Sequence, residues 1–517
     1  MPHASPRYGA TPPSASGMRH PAVVVGGGLV GLTLALDLAQ RGVPVVVLDD
    51  DDTVSTGSRA ICVAKRTLEI FARLGLGPRM LAKGITWHVG RVFAGDREIY
   101  SFDLLPEDGH QYPAFINLQQ YYVEEWLVEA CLAAGVDIRW RHRVIGVSSR
   151  PDGATVSIQT DAGDYTLDAD WLLAADGARS FTRQTLGLPF VGRVFRDRFL
   201  IADVRMQAPF PTERWFWFDP VFHPNQSALL HKQPDDIWRI DLQLGWDADP
   251  DAERDPARVT ARVQAMLGPA ARFTLEWVSV YTFRCRRIER FVHDRVVFVG
   301  DSAHQVSPFG ARGGNGGVQD ADNLAWKLAA VLGGASPTLI GTYDDERILA
   351  ADENILHSTR ATDFITPKTP AARAYRDAVL SLAAVHPWAR AMVNSGRLSR
   401  PCRLMLAGDS DRWDAVQPGD PAVDAPVEGG WLLDRLGAGF SLLSFGPVPD
   451  AAPDGVTAVP VPPGSIAAGR YGAPPGSVVL IRPDHHVLAT FDRFDAARIR
   501  AAIAACLHRV PALEQAA

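Results

Sequence analysis

Between Gly300 and Asn315 the chain reads Gly-Asp-Ser-Ala-His-Gln-Val-Ser-Pro-Phe-Gly-Ala-Arg-Gly-Gly-Asn. Asp301 follows an apolar run, Arg295-Val-Val-Phe-Val299, that reads as a buried strand delivering a carboxylate at its end. The loop through Pro308, Arg312, Gly313, Gly314 and Asn315 opens a helix. The first N–H groups of a helix have no partner within it and stabilise negative charge. Such a helix start would favour a ring that becomes anionic on reduction. His304, in the same loop, reads more simply as a packing residue than as a catalyst.

A second constellation lies near the start. Ala22 to Val25 are apolar without alternation, as a parallel strand covered on both faces should be. Gly26, Gly28 and Gly31 follow in G-x-G-x-x-G spacing. The first glycine permits a tight turn, the second a close approach of pyrophosphate, the third close helix packing. Leu32, Ala35, Leu36 and Ala39 then repeat at helical spacing, and Gly42 stops the helix. A second apolar run, Val43 to Leu48, ends at Asp49, where a carboxylate should meet a ribose hydroxyl. Together these predict a dinucleotide site. A third buried run, Trp171 to Ala175, leads to Asp176-Gly177.

These motifs need a scaffold. The 517 residues suffice for about three domains at ~150 residues each. From about 190 to 283 aromatic and β-branched residues alternate with polar ones, as in Arg214-Trp-Phe-Trp-Phe218, predicting a sheet with one covered face. The α/β texture returns after 284, so the dinucleotide domain is interrupted by the sheet. Residues 341–396 read as helices. A Pro/Gly-rich stretch leads to a last α/β module with strands Val478–Ile481 and Val487–Thr490 and a helix Ala496–Leu507. Residues 1–20 read as a disordered tail.

Hydrophobic content is 47% and charged content 21%, values of an ordinary globular protein. The net charge of −7, with no long basic run, argues against nucleic acid or an anionic membrane as partner. No apolar run approaches the ~18 residues of a membrane span. The five cysteines are scattered without a C-x-x-C pair, which suggests neither metal nor disulfides and points to a reducing, cytoplasmic setting.

In order and spacing, the three motifs resemble those of the FAD-dependent aromatic hydroxylases, the group A flavoprotein monooxygenases. The subgroup with a C-terminal extension, such as phenol hydroxylase and 3-(3-hydroxyphenyl)propionate hydroxylase, is most similar. The resemblance covers residues 20–400 well and the last hundred loosely. It implies a Rossmann-like α/β FAD-binding domain (21–90, 119–189 and 284–400), a substrate-binding sheet domain (91–118 and 190–283), and a thioredoxin-like C-terminal domain (401–517). It implies cofactor roles for Gly26, Gly28, Gly31, Asp49, Arg59, Gln120, Asp176, Asp301, Gly313, Gly314 and Asn315. Pro308 would lie at the flavin edge, and Arg312 would meet NAD(P)H or substrate. The family usually has Glu where Asp49 stands, and Gly where His485 follows Arg-Pro-Asp.

The implied reaction uses NAD(P)H, FAD and O2 to hydroxylate a small phenolic or otherwise activated aromatic substrate through a C4a-hydroperoxide. Related outcomes are epoxidation, Baeyer–Villiger insertion and antibiotic inactivation; a flavin-binding protein without turnover is the alternative from another class. On the sheet, His231 or His223 is a candidate to touch substrate, whereas Arg239 and Asp241 are expected to form a structural pair. No base for the phenol is evident. Helices between Tyr375 and Val393 offer a face for a homodimer.

Overall fold

A computed structural model describes residues 3–57, 59–393, 398–406, 408–411, 413–448 and 452–508. The first two residues of the expected tail and residues 509–517 of the expected last module lie outside them. At the centre is a sheet whose parallel strands Val296–Phe298, Tyr165–Ala174, Met18–Val25, Val45–Asp49 and Asp137–Trp140 lie side by side. Their runs of Val, Leu and Ala are buried in one core cluster with Leu32, Leu36, Leu127 and Leu324 of the helices and Val144, Val156 and Ile158 of a β-hairpin. The helix Leu29–Gln40 packs on this sheet against Gln120–Ala133 and against Gly313–Leu332. Here the α/β expectation holds.

The second large sheet, expected to bind substrate, has eight strands, including Val89–Ala94, Phe190–Arg205, Arg214–Phe218, Ser227–Lys232, Ile237–Leu244 and Thr274–Ile288. Its two long strands pair antiparallel along most of their length and run back to the dinucleotide half. The strand Thr274–Ile288 therefore passes straight through the 283/284 division. One face carries Phe199, Phe216, Phe218 and Phe283, packed with Leu380, Ala383 and Ala389 of the helices Pro370–Ala383 and Pro387–Val393. The other face is covered in turn: Val259 and Val263 of the helix Pro256–Leu267 pack on Trp238, Ile240 and Leu242. The sheet thus has two covered faces, because the short helix supplies the apolar side chains that the strand pattern does not reveal.

Residues 3–17 are not a disordered tail. Tyr8 stacks on Trp140 with ring centroids 4.6 Å apart, and its N–H donates to Asp52 O at 2.7 Å. Arg7 pairs with Asp52 at 2.7 Å, and His3 stacks on Tyr121. Aromatic stacking holds a segment whose Pro, Ser and Ala content alone signals none.

The last module has a four-stranded sheet in which Ser441–Ser444 lies parallel to Thr457–Pro460 and antiparallel to Val478–Ile481, which pairs with Val487–Phe491. It docks through buried charges. Arg482 makes two bonds to Glu346, at 2.9 and 3.0 Å. Lys327 Nζ donates to the same Glu346 at 2.9 Å, and Arg66 donates to Asp484 O at 2.6 Å. His485, in the place of the usual glycine, has a positive φ of 52°. Tyr375, Leu382, Val385, Trp388 and Met392 are exposed on the two helices proposed as a dimer face. All five cysteines are free.

Candidate functional site

The glycine turn follows from its neighbours. Gly26 has φ +106°, and a Cβ there would come 2.5 Å from Ala175 O. A Cβ on Gly31 would overlap Gly26 O. Only glycine fits either place. Gly28 begins the helix Leu29–Gln40, and its backbone faces open space apart from a Glu124 oxygen. Asp49 Oδ2 accepts the Gly27 N–H at 2.5 Å, and Oδ1 accepts the Asp51 N–H at 2.8 Å. Burial raises the Asp49 carboxyl to about 6, against the pull of these bonds.

The second strand–loop–helix unit comes to the same cleft. A Cβ on Gly314 would lie 3.3 Å from Ala60 and 3.4 Å from Leu29, so the starts of both helices converge on the segment after Arg59. Gln120 Oε1 accepts the Ala60 N–H at 3.0 Å. Asn315 accepts the Ala64 N–H at 3.0 Å and donates to Cys62 O at 2.9 Å, so its side chain is spent on fixing this segment. Asp301 is open to water yet closely surrounded by protein. That enclosure, with Asp320 adding to it and Arg59 opposing, holds its carboxyl above the ordinary range. A carboxylate in a cleft with no hydrogen bond from a described residue fits a ligand's hydroxyl chain.

Asp176 lies in the adjoining turn, next to that of Asp301. Its Oδ2 accepts the Thr182 N–H at 2.9 Å, and its Oδ1 is buried without a hydrogen-bond partner among the described residues. The turn thus caps the helix Phe181–Thr185 and keeps one oxygen spare. His304 is a packing residue, as anticipated: its Nε2 lies 2.6 Å from Asp320, which Arg347 also binds at 2.6 Å. Those partners hold the Asp320 carboxyl down at about 2.

Pro308 is exposed at the start of the loop. Phe309, Gly310 and Arg312 after it wall a cavity of about 340 Å³. Its other sides are Phe102, Phe216 and Phe218 from the second sheet, and Phe364 and Met392 from the helices. Arg312 donates to Asn354 at 3.1 Å. Arg91, Arg214, His357 and Arg360 add basic groups to the wall. Arg91 is neutralised by Glu213 and Glu98.

His231 is buried, edge-on to Trp87 with centroids 6.0 Å apart. Burial, with Arg214 and Arg239 nearby, holds its imidazole well below its ordinary pKa, so it is neutral. His223 lies apart, its Nε2 2.6 Å from Gln243 O. Arg239 does not pair with Asp241. It binds Asp203 on the adjacent strand through Nε at 2.9 Å and Nη2 at 3.1 Å. Arg239 and Asp203 are directly opposite in register, which the spacing of Arg239 and Asp241 on one strand cannot reveal.

Glu124 is the residue that sequence reasoning missed. It is fully buried and accepts from Leu29 N at 2.9 Å, Ser55 N at 2.7 Å and Gln120 Nε2 at 2.7 Å. It thus ties the glycine-turn helix to the loop before Arg59. The signal available was an acid one helical turn after Gln120, close to an apolar face.

The comparisons agree with this geometry. A family described as an FAD binding domain matches residues 19–358. The chain is 32% identical to the 6-methylpretetramide 4-monooxygenase of Streptomyces rimosus, over 97% of this chain and 95% of that one. It is 29% identical to a flavin-dependent monooxygenase of Mycobacteroides abscessus, over 90% and 96%. The solved structure of the flavin-dependent monooxygenase PieE, in complex with FAD and substrate, superposes with a TM-score of 0.82 at 25% identity, covering 96% of this chain and 100% of that one. The two convergent helix starts, the carboxylates at their strand ends and the matched span lead to one conclusion: the chain belongs to the FAD-binding-domain family of flavoproteins.

Proposed function

We propose that this protein is an FAD-dependent monooxygenase that hydroxylates a multi-ring aromatic substrate, with NAD(P)H as electron donor. The observation that carries the reading is the aromatic cavity walled by the Phe309–Arg312 loop, which leads into the helix start of the flavin cleft. At about 340 Å³ it falls within the ~300–1,000 Å³ of sites for drug-sized ligands, which favours a substrate larger than a single phenol ring. The names of the relatives, a pretetramide monooxygenase among them, point the same way.

Bound FAD supplies the redox and oxygen-transfer chemistry. The chain's own groups do the rest. Asp49 and Asp301 would accept hydrogen bonds from hydroxyls of the cofactor, and the N–H groups from Gly313 onward would favour the ring edge that gains negative charge. The phenylalanines orient the substrate plane and exclude water.

For NAD(P)H the support is a group of guanidiniums beside the Asp176 turn. Arg183 and Arg286 lie on the Phe190 ring at 4.3 and 4.4 Å. Burial lowers the pKa of Arg286, and Arg284 and Arg183 lower it further. Such a concentration of positive charge suits a pyrophosphate. Arg284→Ala should raise KM for NAD(P)H at least severalfold at unchanged flavin content; unchanged kinetics would refute the assignment.

The C-terminal module reads as a thioredoxin-like fold without a redox pair, supported by its strand order and the helices Ile466–Tyr471 and Ala496–Leu507. The overall test is direct. Purified protein should be yellow and should consume NAD(P)H and O2 faster with hydroxyanthraquinones or tetracyclic phenols than with phenol itself. Colourless protein that stays so with added FAD would overturn the reading.

A further inference from the structure

The inner face of the substrate sheet carries a polar group that the cavity does not explain. Register places His231 opposite Arg239, and Arg239 opposite Asp203. One row further along, Phe216 of the cavity wall lies opposite Leu229, and Leu229 opposite Asp241. Side chains at paired positions share a face, so Asp241 points to the same side as Arg214, Phe216 and His231. The segment from Arg59 to the strand Cys62–Ala64, which Asn315 fixes at both ends, lies against this side: Arg239 donates to Arg59 O at 3.2 Å, and Cys62 faces Arg214, Arg239 and Asp241.

Three of these side chains hold buried polar atoms without a hydrogen-bond partner among the described residues: Arg214 Nε, His231 Nδ1 and Asp241 Oδ1. Each such atom costs about 1–3 kcal/mol if nothing fills the space. Arg239 is not the missing partner, because Asp203 and the Arg59 carbonyl take its donors. What faces Asp241 is Arg239 on its own strand, Asp203 from the adjacent strand, Arg214 from the second strand on the other side, and the Cys62 thiol. Burial raises the thiol to about 11, so it carries no charge at neutral pH. Burial, with Asp203 adding to it and the two arginines opposing, raises the Asp241 carboxyl to about 6. A carboxylate of that strength is matched to taking a proton near neutrality.

We propose that Asp241 accepts the proton of the substrate's ring hydroxyl, with Arg214 holding the oxygen left charged. The substrate O–H bond breaks, its electron pair stays on the oxygen as phenolate, and the proton goes to the Asp241 carboxylate. The phenolate is the electron-rich ring that hydroxylation needs. His231, neutral, offers a hydrogen bond beside it. The proposal rests on the reading as an aromatic hydroxylase and assigns the base within it.

The test uses flavin-loaded protein and 1,8-dihydroxyanthraquinone, whose colour deepens when a ring hydroxyl ionises. Dye bound to the natural protein should ionise at least about one pH unit below the free dye, a tenfold shift. Asp241→Asn leaves the Arg214 charge in place, so the bound dye should ionise at or below the natural midpoint. Hydroxylation of a tetracyclic phenol at pH 7, in contrast, should slow at least about tenfold, and Asp241→Glu should restore part of that rate. Arg214→Met should raise the midpoint. Equal flavin content across the variants shows that the fold is intact. An Asp241→Asn hydroxylation rate equal to the natural one, or natural protein that leaves the dye neutral or unbound, overturns the proposal. Either result can coexist with substrate-stimulated NAD(P)H oxidation, in which case only this assignment falls. Absence of flavin and of that oxidation would overturn the hydroxylase reading itself.

Discussion

Asp49 shows how one carboxylate links folding to cofactor. Its folded pKa of about 6 lies above the ordinary 3.8. A carboxyl raised on folding stabilises the fold below its unfolded pKa, and that contribution is lost as pH rises through the folded value. Above about pH 6 the cofactor-free protein therefore carries an ionised, crowded carboxylate. Ribose hydroxyls that donate to the ionised form should bind best there. FAD affinity, followed by flavin fluorescence, is expected to weaken as pH falls from 7 to 5, and Asp49→Asn to flatten that dependence. Asp301→Ala should reduce flavin content or slow flavin reduction; a variant with full flavin and full turnover would refute its role.

At the scale of elements, the two helix starts are held together by glycine. A Cβ on Gly317 would come 2.5 Å from Val30 of the glycine-turn helix. Gly317→Ala should push the two helices apart at a cost of about 1–3 kcal/mol, read as a lower melting temperature and looser flavin binding. The sequence exposed this layer well, because parallel strands and glycine turns obey local rules: Val23, Gly26 and Asp49 lie where their spacing put them. What depended on distant partners was not legible. Arg239 chose Asp203 from another strand, Glu124 reached back to Leu29, and Tyr8 found Trp140. No local pattern encodes such a choice. The cavity was also hidden, since Phe216, Phe309 and Phe364 come from three separate parts of the chain.

The whole molecule is pinned by the charges between its first and last modules. Arg482 and Lys327 hold the Glu346 carboxyl well below its ordinary range, and Arg482 and His486 do the same for Asp484. Carboxyls depressed on folding stabilise the protein above their unfolded pKa, near 4, and lose that contribution as pH falls below it. Melting temperature should therefore drop steeply below about pH 4. Arg482→Met leaves Glu346 and Asp484 buried with less compensation and should cost about 3–5 kcal/mol at pH 7. Calorimetry would read it, with loss of the last module as a separate early transition.

The strands Phe190–Arg205 and Thr274–Ile288 belong to both halves of the catalytic body at once. A ladder of that length behaves like a leaf spring rather than a door on a pin. Its pairing slips between Val194 and Arg198, just beyond Gly192 at φ +138°. Bending concentrates where cross-links are missing, so flexure of this ladder is expected at that slip and at the second one, between Asp203 and Val204, with the paired stretch between them moving as one piece.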